Sequence, residues 1–141
     1  MKNSPILIVG GEPFSVFLEL FFKAFKRKKF KKPIILILSK KLLLAQMKFL
    51  KFNFKINIID KNKIGLNRIN NNAINIIDIS FDFKKPFDRI SKKSNSYIEK
   101  CFKNALEIIK KKDCSGLING PISKKNFLEE KNLGITEYLA D

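Results

Sequence analysis

The chain contains no histidine. A zinc site of the usual His/Cys kind therefore lacks its main ligand, and the only cysteines, Cys101 and Cys114, do not form a C-x-x-C pair. Two isolated thiols in a lysine-rich chain suit a reducing cytosol and read as small packing residues. Arginine is scarce, at Arg27, Arg68 and Arg89 alone, and acidic residues number 13 against 29 Lys and Arg, a net charge of +16. That charge alone suggests a basic module for nucleic acid or another polyanion. Dedicated nucleic-acid surfaces, however, lean on arginine for bidentate contacts. Here the lysines are scattered, and neither an RNP-type aromatic motif nor a helix-turn-helix is recognisable. The abundance of Lys, Ile, Asn and Phe, whose codons are rich in A and T, points to compositional bias on solvated faces. Long apolar runs are lacking too. None reaches the roughly 18 residues of a membrane span, since Glu19 and Lys23 interrupt the best candidate. Ile6–Val9, stopped by Gly10-Gly11-Glu12, is too short for the core of an export signal. The expectation is a cytoplasmic protein without a membrane partner.

What the chain does have is apolar substance: 141 residues, 45% hydrophobic, with 14 Phe. A chain of this size buries roughly 68–70% of its unfolded surface, enough for one domain with a real core. Ile6–Val9 reads as a buried strand. Gly10-Gly11-Glu12-Pro13 is a turn, with Pro13 or Ser15 opening a helix over Val16 to Lys26 that is apolar nearly all round and so expected to be well buried. After a basic loop at Lys26–Lys32, Pro33–Leu38 is a second buried strand, and Ser39 caps the helix that follows. Lys55–Asp60 and Ala73–Ile79 are further strands, separated by a polar loop at Asn67–Asn72. Lys84–Lys93, with Pro86, reads as irregular. Ser94 or Ser96 caps a long amphipathic helix through Lys112, whose terminal lysines suit the negative pole of its dipole. Gly116–Ile118 is a fifth strand and Pro121 to Lys131 a further helix. Strands alternating with helices predict an α/β fold, a mostly parallel sheet with helices on both faces. Thr136 to Asp141 reads as the opening of one more helix. The expectation is that residues 1–141 are the N-terminal part of a longer protein, incomplete at the C-terminus.

Ligands in such sheets bind beyond the carboxyl ends of the strands. Three loops stand there. Gly10-Gly11-Glu12-Pro13 lacks the G-x-G-x-x-G fingerprint and reads as a tight turn. Asn119-Gly120-Pro121-Ile122-Ser123-Lys124 offers close backbone approach at Gly120, free N–H groups at a helix start, and a point charge at Lys124. Gly134-Ile135-Thr136-Glu137 offers a hydroxyl at a helix start and an acid at its positive pole. The plain alternatives are two turns, a solvated lysine and a cap.

Taken together and in order, these segments resemble a known family. "GEP" after the first strand, with Glu19 on the next helix, is similar to the G-[DE]-P…E opening of 4-hydroxythreonine-4-phosphate dehydrogenases. "LINGPISK" resembles their apolar-T-G-P-I-x-K segment, and "GITEYLA" their G-[HV]-T-E-[FY] segment at matching spacing. The resemblance covers the N-terminal part of a family member and is most specific over Gly116–Ala140. It implies an isocitrate/isopropylmalate-dehydrogenase-like fold, a homodimer when full length, and a phosphorylated small-molecule substrate. The implied reaction oxidises 4-phosphooxy-L-threonine with NAD or NADP. Loss of carbon dioxide then gives 3-amino-2-oxopropyl phosphate, in pyridoxal phosphate biosynthesis. A divalent metal suits this chemistry, polarising the reacting oxygen and stabilising the enolate, while the nicotinamide takes the hydride.

Carried over by position, Thr136 matches the family's substrate-contacting threonine. Ile135 occupies the place of its histidine, and Asn119 that of the threonine in T-G-P-I. Asn119, Gly120, Lys124 and Glu12 are the candidate residues bordering the site. Ser15-Val16-Phe17 replaces the G-I-G that often follows the opening motif, so that loop takes another shape. The family's metal ligands are histidines of the later part of the chain, so none is expected here, and the isolated chain is expected to be inactive. A remnant of a decayed enzyme is a third reading, separable by the coding DNA downstream of Asp141.

Overall fold

The computed structural model describes residues 4–27, 29–66 and 69–128. Its elements run β1 (Ile6–Val9), α1 (Phe17–Arg27), β2 (Ile34–Leu38), α2 (Lys40–Phe49), β3 (Ile56–Ile58), β4 (Ile74–Asp78), α3 (Asn95–Lys110) and β5 (Gly116–Asn119). 3-10 turns at Lys61–Leu66, kinked at Lys63, and at Lys92–Ser94, and a π turn at Lys124–Leu128, fill the connections. All five strands are parallel, in the order β3-β4-β2-β1-β5. The expected α/β sandwich is the one observed.

Strand alternation sorts the core into two layers. Leu7, Val9, Ile35, Ile37 and Ile77 face α3, where Ile98, Phe102, Ala105 and Ile108 close the packing. Ile8, Ile34, Leu36, Leu38, Ile74 and Ile76 face α1 and α2, meeting Leu18, Phe21, Phe22, Leu43 and Met47. Phe22 is fully buried, which stabilises the fold by about 1.5–3 kcal/mol. Its ring packs beside those of Phe52 and Phe54 at 5.4 and 6.0 Å. The helix α1 is less enclosed than its composition suggests. It turns Leu18, Phe21 and Phe22 inward but leaves Leu20, and Val16 just before it, exposed.

Boundaries shift where capping or pairing decides them. Ser39 caps α2 as expected, its hydroxyl accepting the Leu42 N–H at 3.2 Å, and Asp78 at the end of β4 accepts the Lys40 N–H at 2.8 Å. Before α3, Ser91 accepts the Lys93 N–H at 3.3 Å and opens the 3-10 turn. Ser94 then stands at the N-cap without a side-chain cap bond. The element after β5 starts at Lys124 rather than Pro121, because Ser123 accepts the Asn126 N–H at 3.1 Å. The described part of the polar loop before β4 is a structural plug. Asn71 accepts the Ile34 N–H at 3.0 Å and donates to the Lys32 carbonyl at 2.8 Å.

The order of the strands places one crevice. From β1 the chain crosses to the α1 layer. From β5 it turns instead toward α3, where Phe127 packs near Phe102, ring centroids 6.2 Å apart. Neighbouring parallel strands whose chains leave to opposite faces form a topological switch point, the place where such sheets hold ligands.

Candidate active site

Two glycine-bearing turns meet at that switch point, each held by the other's backbone. The Glu12 N–H donates to the Pro121 carbonyl at 2.8 Å, and the Gly120 N–H extends the ladder to the Val9 carbonyl at 2.7 Å. Gly11 adopts φ 73°, the left-handed region that disfavours side chains. A Cβ there would also lie 2.5 Å from the Pro121 oxygen. A Cβ on Gly120 would collide with the Gly10 carbonyl and sit 3.2 Å from the Phe17 ring. Both turns therefore need glycine because the two backbones touch.

Ser15 finishes the first turn. Its N–H donates to the Glu12 carbonyl at 3.1 Å and its hydroxyl accepts the Phe17 N–H at 3.2 Å, which starts α1. Gln46 of α2 braces the turn from the side, its amide nitrogen donating to the carbonyls of Pro13 at 2.9 Å and Pro86 at 2.8 Å. In the second turn the Asn119 amide donates to the Gly120 carbonyl at 3.0 Å.

Glu12 is 2% exposed. Neither carboxylate oxygen has a hydrogen-bond partner among the described residues. Burial raises its pKa above the usual glutamate range, and the Ser94 hydroxyl nearby offsets this only in part. Glu12 borders a cavity of about 10 Å³, walled also by Gly10, Gly11, Ser15, Leu38 and Tyr97 among others, room for about one water molecule. Tyr97 is buried, its phenol oxygen accepts the Ser39 N–H at 2.8 Å, and its ring stacks on Phe81 at 4.5 Å. Burial pushes the Tyr97 phenol well up, so it stays neutral. An open basin of about 540 Å³ lies near by, bordered by Phe14, Phe81, Phe83, Lys84, Arg89 and Lys93.

The structure thus brings Glu12, Asn119 and Gly120 to one place. Lys124 begins the next turn of backbone. Ile135 and Thr136 lie outside the described residues. Glu19 stands on α1 in a surface pair with Lys23 at 2.9 Å. Sequence reasoning missed Tyr97, Gln46 and Ser94 as parts of this neighbourhood. The signal for Tyr97 and Gln46 was a polar group on the buried stripe of an amphipathic helix, which asks for a buried partner.

The described residues do not fit a divalent metal. Among the described residues no group of three His, Cys, Asp or Glu side chains converges. Burial also pushes the Cys101 thiol up to about 12, which keeps it from acting as a thiolate ligand. No helix among the described residues is long and apolar enough to cross a membrane.

A family model described as "Pyridoxal phosphate biosynthetic protein PdxA" matches residues 29–141. Among solved structures, the fold resembles a 4-hydroxythreonine-4-phosphate dehydrogenase from Burkholderia phymatum, with a TM-score of 0.78 and 21% identity, covering 98% of this chain and 43% of that one. It also resembles the enzyme of that name from Klebsiella pneumoniae, with a TM-score of 0.82 and 16% identity, covering 98% of this chain and 44% of that one. The chain spans less than half the length of these structures. No curated protein matches it.

Proposed function

Because the chain belongs to the family of the pyridoxal phosphate biosynthetic protein PdxA, we propose that it forms the N-terminal wall of a 4-hydroxythreonine-4-phosphate dehydrogenase site. The observation that carries the reading is the clasp of Gly10–Pro13 against Asn119–Pro121 at the β1/β5 switch point. Such a crevice exposes backbone and turn side chains to a ligand at the ends of parallel strands. In this reading Asn119 and Gly120 border 4-phosphooxy-L-threonine, and Thr136 contributes a hydroxyl contact to it. Ile135 can neither donate nor accept a hydrogen bond, so the contact made by the family's histidine is absent or supplied elsewhere. Lys124 supplies a charge toward the phosphate.

The proposed reaction of the whole enzyme is oxidation and decarboxylation of that substrate to 3-amino-2-oxopropyl phosphate, within a cytoplasmic homodimer. NAD or NADP would accept the hydride. The described donor set does not fit a divalent metal, so no catalytic step is assigned to these residues. Their part is to bind and orient, and the chain by itself is inactive.

Calorimetric titration with 4-phosphooxy-L-threonine tests this reading. Binding that is lost in Thr136→Ala and weakened in Asn119→Ala is expected, with no NADH formed when NAD and a divalent metal are added. Metal-dependent NADH production by this chain would overturn the inactivity. Undetectable binding, together with sequence-preferring DNA binding that survives about 0.15 M salt, would favour the polyanion reading instead.

A further inference from the structure

Phe14, Phe81 and Phe83 line the open basin of about 540 Å³. Phe81 is the middle ring. Its centroid lies 5.8 Å from that of Phe14, 5.8 Å from that of Phe83, and 4.5 Å from that of the buried Tyr97. This aromatic wall stands on the ligand side of the sheet, because Phe14 belongs to the connection that leaves β1, and Phe81 and Phe83 follow the end of β4. The three Phe rings are half-buried, so each keeps open surface.

Lys84, Arg89 and Lys93 border the same basin. All three are exposed, and none forms an ion pair among the described residues, where the pairs are Lys23 with Glu19 and Lys61 with Glu107. Asp82 and Asp88 share the border, so three cations stand against two carboxylates. Asp88 serves the backbone, accepting the Arg89 N–H at 2.8 Å. The segment that carries Lys84 and Arg89 is anchored to α2. The Gln46 amide donates to the Pro86 carbonyl at 2.8 Å, and the Phe87 ring packs against Phe49 with centroids 5.3 Å apart. Charges without partners are thus held beside open rings.

The volume falls in the range of small-molecule sites, roughly 300–1,000 Å³. A flat ring gains from offset or edge packing on Phe faces. A phosphate draws arginine as a two-pronged donor and lysine as a point charge. The two carboxylates disfavour a bare polyanion but accept N–H and O–H groups. 4-Phosphooxy-L-threonine carries a phosphate and no ring, so the basin suits a ligand other than that of the crevice.

We propose that this basin binds a flat aromatic ring tethered to a phosphate, with the ring against Phe14 and Phe83 and the phosphate toward Lys84, Arg89 and Lys93. A purine nucleotide and a pyridoxine phosphate share that chemistry. The site is additional to the substrate crevice and does not rest on it.

Calorimetric titration of the 141-residue chain at about 0.15 M salt, which screens general attraction to a polycation, tests the site. The probes are AMP and pyridoxine 5′-phosphate, with adenosine, pyridoxine and inorganic phosphate as controls. At least one probe should bind saturably, about tenfold or more tighter than its ring alone and than phosphate alone. Which probe binds separates purine from pyridine. Phe83→Leu should weaken that binding about tenfold, the effect of one stacked ring, and Arg89→Gln also about tenfold. Lys110→Gln, at the far end of α3, should leave it unchanged. Inorganic phosphate binding as tightly as the probes would reduce the basin to an anion patch and overturn the proposal. Absence of saturable binding by both probes, or equal weakening in Arg89→Gln and Lys110→Gln, would do the same. Should Phe83→Leu fail to fold, the wild-type ratio of probe to phosphate affinity decides the share of the ring.

Discussion

The amide of Glu12 donates to the carbonyl of Pro121 at 2.8 Å, joining the turn after the first strand to the turn after the last described one. Residues more than a hundred positions apart in the chain are thereby fixed against each other where the ligand crevice of the sheet opens. The contact depends on Gly11 and Gly120, which leave room for it.

Substitution at the clasp should be expensive. Gly120→Ala and Gly11→Ala are each expected to cost about 2–4 kcal/mol, the first by backbone collision and the second also by its φ of 73°. Gly116→Ala is the control, since nothing lies within 4 Å of a Cβ there, and it should change stability by less than about 0.5 kcal/mol. Urea denaturation of the three variants checks this. Equal losses at all three positions would contradict the close approach.

Glu12 should make the fold less stable as pH rises. Its folded-state pKa lies above the ordinary value of 4.5 because burial disfavours the charged form. The folded chain therefore holds this proton more tightly than the unfolded chain does. The sign follows: stability attributable to Glu12 is greatest below the unfolded value and declines as pH rises through the folded one. The wild type minus Glu12→Gln stability difference should fall between about pH 4 and the raised folded pKa, then level off. A difference that stays flat or rises across that interval would refute the shift.

Asn71→Ala should cost about 1–3 kcal/mol, since it leaves the Ile34 N–H without its acceptor and the Lys32 carbonyl without its donor at the entrance to β2. Chemical denaturation measures the loss. Asn70→Ala removes only a local bond to the Asn72 N–H at 2.9 Å and should cost clearly less.

How far the sequence disclosed this arrangement differs from residue to residue. Ile34–Leu38 was legible because a fully apolar run before a capping serine has one economical use, a central strand feeding a helix. The glycine turns were legible as turns, and their position after strands marked them as candidates. Their mutual contact was not, because the pairing of β1 with β5 depends on which edge the chain crosses to after α3, and no local signal encodes that. Asn71 illustrates the same limit. An asparagine-rich loop looks like solvent-facing filler until the carbonyls it reaches, some forty residues away in sequence, are placed beside it. The over-estimate of burial for α1 has a simpler cause. Leu20 is apolar but falls on the far side of a helix that packs on one layer only.

The central claim, that the clasped turns border a site for a phosphorylated substrate, is tested most directly by nitrogen-15 NMR of the chain titrated with 4-phosphooxy-L-threonine. The account predicts saturable shifts at the amides of Glu12, Asn119 and Gly120, with the amides of β3 at the far edge unmoved. Shifts spread over the lysine-bearing surface and removed by about 0.15 M salt would mean unspecific attraction to a polycation. That result, or no shift at the two turns, would contradict it.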